Sequence, residues 1–593
     1  PAATPVSRTL RLEIMAFTSQ HLSRNHKTDQ RVTFTWPAHF KAITGAPTRE
    51  QQMTMVHGGR LVAKALAKEG VSHLFTLCGG HIQNIYDGCL DEGIREVDTR
   101  HEQSAGHAAE GWARATGRPG VAAVTAGPGV TDAVTAAANA YRGGAPMVLI
   151  GGQGPAFFKE MGSLQEMDHV KLMESITKWS ATVPETRRIP DYMAMAFRKA
   201  TTGVPGPVFL EMPLDMLMNM EDDETLPWPT DSRTDHVSGG DPAAIEEAAA
   251  HLSKAERPVA IVGTQWFFSP YRDSIDDFLS AYDLPVFLNG GARGAISGSD
   301  PHFFRLCRSK AIAKADVVAV FGTPWDFRLG YGQRVSPDTK VIQVDLDPEV
   351  IGHNRGAQVG MPADSGLVMK QLAEAGSRSD SGWLQAVGGF EAEKRSRIDA
   401  EINSTAVPIN PLRFSNELAQ AIPDDATIVC DGGDIVGTAA KLVEVHHPGH
   451  WMDPGPLGTL GVGPGFAMAA KLARPDSPVV IIYGDGSFGL NGFEFEAMVR
   501  QDIPVVGVMG NDAAWTQIRR GQTAIFGSDR APATQLAFTR YDRIVEAMGG
   551  HGEFVQQPDG IRPAIERALA SGKPALVNVE IGTSDFRAGA ISV

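Results

Sequence analysis

The stretch from Tyr483 to Trp515 restricts what this chain can fold into more than any other. It is led by an unbroken apolar run, Val479-Val480-Ile481-Ile482, short enough for a strand buried on both faces. Gly484-Asp485-Gly486 follows and reads as a turn where backbone can approach a phosphate closely. Phe493, Phe495, Met498 and Val499 then fall on one helical face, and Pro504 to Met509 reads as a second apolar strand ending at Asn511-Asp512. A strand-helix-strand unit of this kind makes its strands parallel, with both C-terminal ends on one edge. Asp485 and Asn511 sit at those ends, so their side-chain oxygens can converge. Such oxygens suit a hard cation like Mg2+, which commonly bridges a carboxylate to a bound phosphate. A Gly-Asp-Gly triplet also occurs in plain βαβ units, so the reading needs partners elsewhere in the chain.

The chain has room for them. At 593 residues it exceeds one core, and three or four domains are expected. Residues 1–52 are rich in Arg, Thr and Ser, lack the apolar core of a secretory signal, and read as a surface extension. Residues 53–225 alternate helices with strands: a helix from Gly58, a strand at His73–Leu77, the turn Gly79-Gly80-His81, a small-residue helix after Arg100-His101-Glu102, and strands at Val121–Thr125 and Pro146–Ile150. A Pro/Asp/Ser/Thr-rich linker leads to a second such unit, 240–375, and a charged stretch to a third, 408–582. In the third, Asp431-Gly432-Gly433-Asp434 is the turn after a strand, and Gly455–Gly461 precedes another small-residue helix. The tail, 583–593, is short and bears Gly and Ala, as a lid over an active-site mouth would. The fold class is therefore α/β, with three doubly wound parallel-sheet domains. A net charge of −15 argues against nucleic acid or an anionic membrane as main partner. No apolar run is long enough to span a bilayer, and four cysteines without a C-x-x-C pair fit a reduced, cytoplasmic protein.

Gly-Asp-Gly followed some two dozen residues later by Asn resembles the thiamin-diphosphate motif. The run RHEQSAGHAAEGWARATGRPGVAAVTAGPGVTD resembles the pyrimidine-binding domain of the same superfamily. The resemblance covers Val56 to about Ile581 and implies cofactors, thiamin diphosphate and Mg2+. It implies metal ligands at Asp485, Asn511 and the Ala513 carbonyl. It puts the cofactor against Gly433, Asp434, Gly458, Leu460, Gly484, Gly486, Ser487, Asn511 and Ala514, with Leu460 as the apolar wedge between the two rings. It makes Glu102 the carboxyl that hydrogen-bonds N1′ of the aminopyrimidine and favours its imino tautomer. Gln165 falls on an active-site loop glutamine, and His81 on a proton-handling histidine of carboligases of the benzaldehyde-lyase type. Gln517 stands near the acid of related decarboxylases, and Glu494 on a widespread acidic position. The middle domain resembles that of the acetolactate synthase, oxalyl-CoA decarboxylase and 2-hydroxyacyl-CoA lyase group. There Asp345 would take a ribose hydroxyl, and Arg328 or Arg355 a phosphate of the CoA nucleotide. Asp326-Phe327 stands where FAD-binding synthases carry paired aspartates, which weakens an FAD reading. The implied activity is cleavage of a 2-hydroxyacyl-CoA, such as 2-hydroxyisobutyryl-CoA, to a ketone or aldehyde plus formyl-CoA. The alternatives are an acetolactate-synthase-like or benzaldehyde-lyase-like carboligase, an oxalyl-CoA decarboxylase, and a non-catalytic homologue. The resemblance also implies a homodimer at least, and a homotetramer built from two such dimers, acting on a small acyl-CoA.

Overall fold

Apolar strands that alternate with helices bury both faces only when they pair in parallel and are covered on each side. The structure, a computed structural model, describes residues 55–379 and 382–584 and follows that rule three times. The first sheet contains β1 (His73–Thr76), β2 (Arg95–Asp98), β3 (Gly120–Val124), β4 (Met147–Gln153), β5 (Ser180–Thr182) and β6 (Pro207–Pro213), in the order β2-β1-β3-β4-β6-β5. The middle sheet contains β7 (Pro258–Val262), β8 (Val286–Leu288), β9 (Val317–Phe321), β10 (Lys340–Asp345) and β11 (Val359–Pro362), in the order β8-β7-β9-β10-β11. The third contains β12 (Thr427–Asp431), β13 (Trp451–Met452), β14 (Val479–Gly484), β15 (Val506–Asn511), β16 (His551–Val555) and β17 (Ala575–Glu580), in the order β13-β12-β14-β15-β17-β16. All pairs within these sheets are parallel. The α/β fold with three parallel-sheet domains expected from the sequence is the one observed.

In each sheet the first strand has the second on one side and the third on the other. This leaves a crevice at the C-terminal ends of strands one and three, where ligands of such sheets bind. In the first sheet the crevice lies between the residues after β1 and β3, in the third between those after β12 and β14. Register places Asp431 beside Tyr483 and Gly484 beside Gly510, so Asp485 and Asn511 do emerge at one edge.

The first and third sheets are joined through two small-residue helices, α1 (Glu102–Thr116) and α2 (Gly463–Ala473). Their backbones touch: a Cβ on Gly465 would lie 2.7 Å from the Ser104 carbonyl oxygen and 2.9 Å from the Ala108 nitrogen. One continuous apolar cluster runs through this contact, from Phe75 and Ala105 to Phe466, Tyr483 and Met509.

Two local expectations change. Asp485 is not in a turn: Gly484 ends β14, and Asp485 opens a helix, α3 (Asp485–Asn491). The expected single helix breaks at Gly492-Phe493, where glycine's low helix propensity permits it, and resumes as α4 (Glu494–Arg500). The break turns Phe493 outward, 71% exposed, rather than into the core. Residues 1–52 and the tail beyond Ser584, including the expected lid, lie outside the described residues. Among the described residues no helix is long and apolar enough to cross a membrane.

Gly465→Ala is expected to cost about 1–3 kcal/mol as overpacking against backbone. It should appear as a lower urea midpoint, and an unchanged midpoint would show that α1 and α2 part freely.

Candidate active site

A cavity of about 330 Å3 opens at the C-terminal edge of the third sheet. Gly433 and Asp434 reach it from the turn after β12, and Gly484, Asp485, Gly486 and Ser487 from the start of α3. Gly458 and Leu460 come from the loop before α2, and Asp512, Ala514, Trp515 and Gln517 from the segment after β15. Asp431 holds these pieces together. Fully buried, its carboxylate accepts from Gly461 N at 3.0 Å and Gly463 N at 2.8 Å, while its carbonyl accepts from the Ser487 hydroxyl. Burial pushes its carboxyl up to about 7, against the pull of those two backbone donors. Gly486 must be glycine here, because a Cβ would lie 2.5 Å from the Trp515 ring.

Asp485 is 3% exposed, and its Oδ2 is buried with no hydrogen-bond partner. Burial first, and then the charge of Asp512, push its carboxyl up to about 7. Asp512 is also raised, by burial, and accepts from the Thr516 hydroxyl. Asp434 lines the same cavity and is paired with Arg520 at 2.6 Å. An orphaned carboxylate oxygen facing other carboxylates is what a divalent cation relieves. Asn511, fully buried behind it, accepts from Ala513 N at 3.2 Å through Oδ1 and donates to Asn578 Oδ1 at 3.1 Å. Among the described residues no three His, Cys, Asp or Glu converge to hold a metal by themselves. This fits a site of one carboxylate and one amide completed by phosphate oxygens.

The Ala513 carbonyl, the third expected ligand, has protein partners in this structure. The segment after Asn511 bridges to Gln535, so this oxygen accepts from Leu536 N at 2.7 Å and Gln535 Nε2 at 2.9 Å, which uses both lone pairs. The Ser487 hydroxyl is likewise committed, to the carbonyls of Asp431 and Gly484.

On the first sheet, His81 follows β1, Glu102 follows β2 and Thr125 follows β3, three adjacent strands sharing one edge. His81 Nδ1 lies 3.2 Å from Thr125 Oγ1, and Gln165 lies beside both. Burial lowers the His81 pKa. Gln165 itself sits at φ 60°, a left-handed conformation costly for a side-chain-bearing residue. Glu102, 9% exposed, opens α1, and burial raises its pKa. Beneath them His169 accepts from Gly127 N at 2.9 Å and contacts Glu211 at 2.8 Å. Thr125, Asp431, His169 and Trp515 were not singled out from sequence; only the positions of Thr125 and Asp431 at strand ends could have flagged them.

None of these first-sheet residues lines the cavity at Asp485. Glu494 is also outside it, buried against the segment before Glu102. From the middle domain, Asn289, Arg293, Phe327 and Arg328 do line it. Arg328, expected on a nucleotide phosphate, lines this cavity and pairs with Asp326 at 2.6 Å. Asp345 is held by Gln265 Nε2 at 2.7 Å and Asp347 N at 2.9 Å, and Arg355 donates to the Ser336 carbonyl at 2.8 Å. Only Arg328 of the three reaches this cavity.

Paired doubly wound sheets, with a buried orphan carboxylate over a glycine-lined cavity, define an enzyme that carries a metal-bound diphosphate cofactor. The chain belongs to the thiamine pyrophosphate enzyme family. Its N-terminal TPP binding domain model matches residues 56–172, the central domain 245–372 and the C-terminal TPP binding domain 431–579. The chain is 40% identical to a probable acetolactate synthase of Mycobacterium bovis, over 88% of this chain and 95% of that one. It is 37% identical to 2-hydroxyacyl-CoA lyase 2 of Caenorhabditis elegans, over 91% of each, and 36% identical to that of Homo sapiens, over 91% and 92%. It is a thiamine-diphosphate-dependent enzyme of the lyase and carboligase class, and its cofactors are thiamine diphosphate and Mg2+.

Because the Asp485 carboxyl titrates near 7 in the fold and far lower when unfolded, it stabilises the fold fully only at low pH. That contribution is lost as pH rises through about 7. Asp485→Asn should therefore raise the melting temperature of the metal-free protein at pH 8 and flatten its fall between about pH 4 and 7. It should also abolish the rise that Mg2+ with thiamine diphosphate gives the unaltered protein. Calorimetric scans across pH check both, and a variant still stabilised by Mg2+ with the cofactor contradicts the ligand assignment.

Proposed function

We propose that this protein is a 2-hydroxyacyl-CoA lyase, cleaving a 2-hydroxyacyl-CoA reversibly to a ketone or aldehyde and formyl-CoA. The observation that carries the reading is the likeness, over nine-tenths of the chain, to enzymes named 2-hydroxyacyl-CoA lyase 2. Gln517 supports it: an amide lines the cavity where a simple 2-oxo acid decarboxylase would keep a carboxyl. Thiamine diphosphate, when bound, supplies the nucleophilic carbon and the electron sink for breaking a bond beside a carbonyl. Asp485 and Asn511 would hold its metal, and Leu460 would support its ring system. Glu102 would share a proton with N1′ of its aminopyrimidine, which burial of that carboxyl favours. His81 and Gln165 would face the substrate, the imidazole taking the 2-hydroxyl proton as the C–C bond breaks; burial keeps it neutral and so able to accept.

Arg328 favours a second reading. Its guanidinium lines the reaction cavity and suits the carboxylate of a 2-oxo acid, as an acetolactate-synthase-like carboligase requires. Turnover of 2-hydroxyisobutyryl-CoA to formyl-CoA, compared with condensation of pyruvate to acetolactate, separates the two. Acetolactate formation with no formyl-CoA would transfer the protein to the second class.

One cofactor needs both Glu102 and Asp485, yet Glu102 lies outside the cavity at Asp485 in the same chain. A second copy would supply it, giving a two-fold dimer with two shared sites, paired further into a tetramer. Exposed apolar residues on both parts support this: Met161 and Leu164 near Gln165, and Leu490 at the end of α3 with Phe493 just beyond it. Mixing equal amounts of inactive Glu102→Ala and Asp485→Ala chains should restore about a quarter of the activity, because half the dimers are hybrids and each regains one of two sites. Subunit exchange without recovery would place each site within one chain.

A further inference from the structure

Glu494 has no role in the chemistry described above, and its surroundings assign it one. It opens α4, is 1% exposed, and both its carboxylate oxygens accept from Arg100 N, at 3.0 and 2.9 Å. Arg100 lies two residues before Glu102, in the segment that leads from β2 into α1. The Ser104 hydroxyl, on the first turn of α1, lies beside the carboxylate without a hydrogen bond of good geometry. The far end of α4 grips the same segment. Gln501 Nε2 donates to the Asp98 carbonyl at 2.6 Å, Arg95 donates to the Gln501 carbonyl at 3.0 Å, and Arg500 pairs with Asp98 at 2.7 Å. The exposed ion pair contributes little by itself. The buried carboxylate is different, because it is the acceptor for a backbone N–H that would otherwise be unsatisfied.

We propose that Glu494 is a positioning residue for Glu102: it fixes the Arg100 peptide and thereby the start of α1, so that the Glu102 carboxyl is held where a cofactor ring nitrogen can meet it. This rests on the reading of Glu102 given above. The device has a direction. Asp485 opens α3 and Glu494 opens α4, nine residues on in the same arm. The arm that carries the metal carboxylate therefore also carries the support for the proton-handling carboxyl of its own chain. A side chain that were only packing would not need a carboxylate aimed at one peptide N–H from both oxygens.

Two measurements test it, on cofactor-free and on cofactor-loaded protein. Amide hydrogen exchange over residues 99–106 of the cofactor-free protein should quicken at least tenfold in Glu494→Ala, while the middle sheet stays unchanged. In the loaded protein the same variant should slow exchange of the thiazolium C2 proton at least tenfold and leave thiamine diphosphate affinity within threefold. Glu494→Gln, which keeps one acceptor oxygen, should recover most of that rate. Should Glu494→Ala not fold, Glu494→Asp, whose carboxylate is one methylene shorter, should show the same slowing. Wild-type C2 exchange in a folded Glu494→Ala or Glu494→Asp variant overturns the proposal, provided Glu102→Gln is slow. Wild-type C2 exchange in Glu102→Gln overturns instead the reading of Glu102, and quickened amide exchange at 99–106 would then leave Glu494 only a structural support.

Discussion

The contact between α1 and α2 is the constraint on which the catalytic architecture depends. Both helices are made of small residues because their backbones touch at Gly465 and again at Gly111, where a Cβ would lie 2.7 Å from Phe466 Cα. With the backbones this close, the first and third domains share one apolar cluster. Glu102 opens one helix of this pair, and Asp431 accepts the backbone of the other at its start. The contact therefore fixes where each domain presents its polar edge. It also keeps Glu102 out of the cavity that Asp485 faces in the same chain.

Three carboxylates in and around this edge are kept dry. Asp431, Asp485 and Glu494 are each pushed up to about 7 by burial, and each has a different answer to it. Asp431 is satisfied by two backbone donors and organises loops. Glu494 is satisfied by the Arg100 peptide across the domain contact. Asp485 has one buried oxygen left over, and of the three residues it alone lines the cavity. The same physical cost is thus offset by protein at Asp431 and Glu494, and at Asp485 it is left open to a cation.

Much of this was legible in the sequence because parallel strands announce themselves as apolar runs, and strand ends then locate the site. Nearly all the residues expected around the cofactor do line one cavity, Asn511 standing buried just behind it. The less legible parts depend on where a chain goes after it leaves the sheet. The Ala513 carbonyl is taken by Gln535 and Leu536, more than twenty residues on, which no local pattern shows. The break at Gly492 left the apolar spacing around Phe493 looking like one helix, whereas Phe495 and Met498 are buried and Phe493 is exposed. Arg328, Asp345 and Arg355 read as a nucleotide site from the resemblance of the middle domain; in the structure Asp326, Gln265 and the Ser336 carbonyl respectively hold them.

The strand order has a consequence for how the molecule is made. In both six-stranded sheets the strand that comes last in the chain, β6 or β17, lies between the two that precede it. As the chain emerges from the ribosome, β4 and β5, and later β15 and β16, must wait with unpaired edges for a strand not yet synthesised. The gap cannot be closed by nearest neighbours, so each sheet completes only when its final segment threads home. Nascent chains stalled before Ala575 would thus expose two apolar, unpaired edges at once, a natural target for chaperones that capture open sheets.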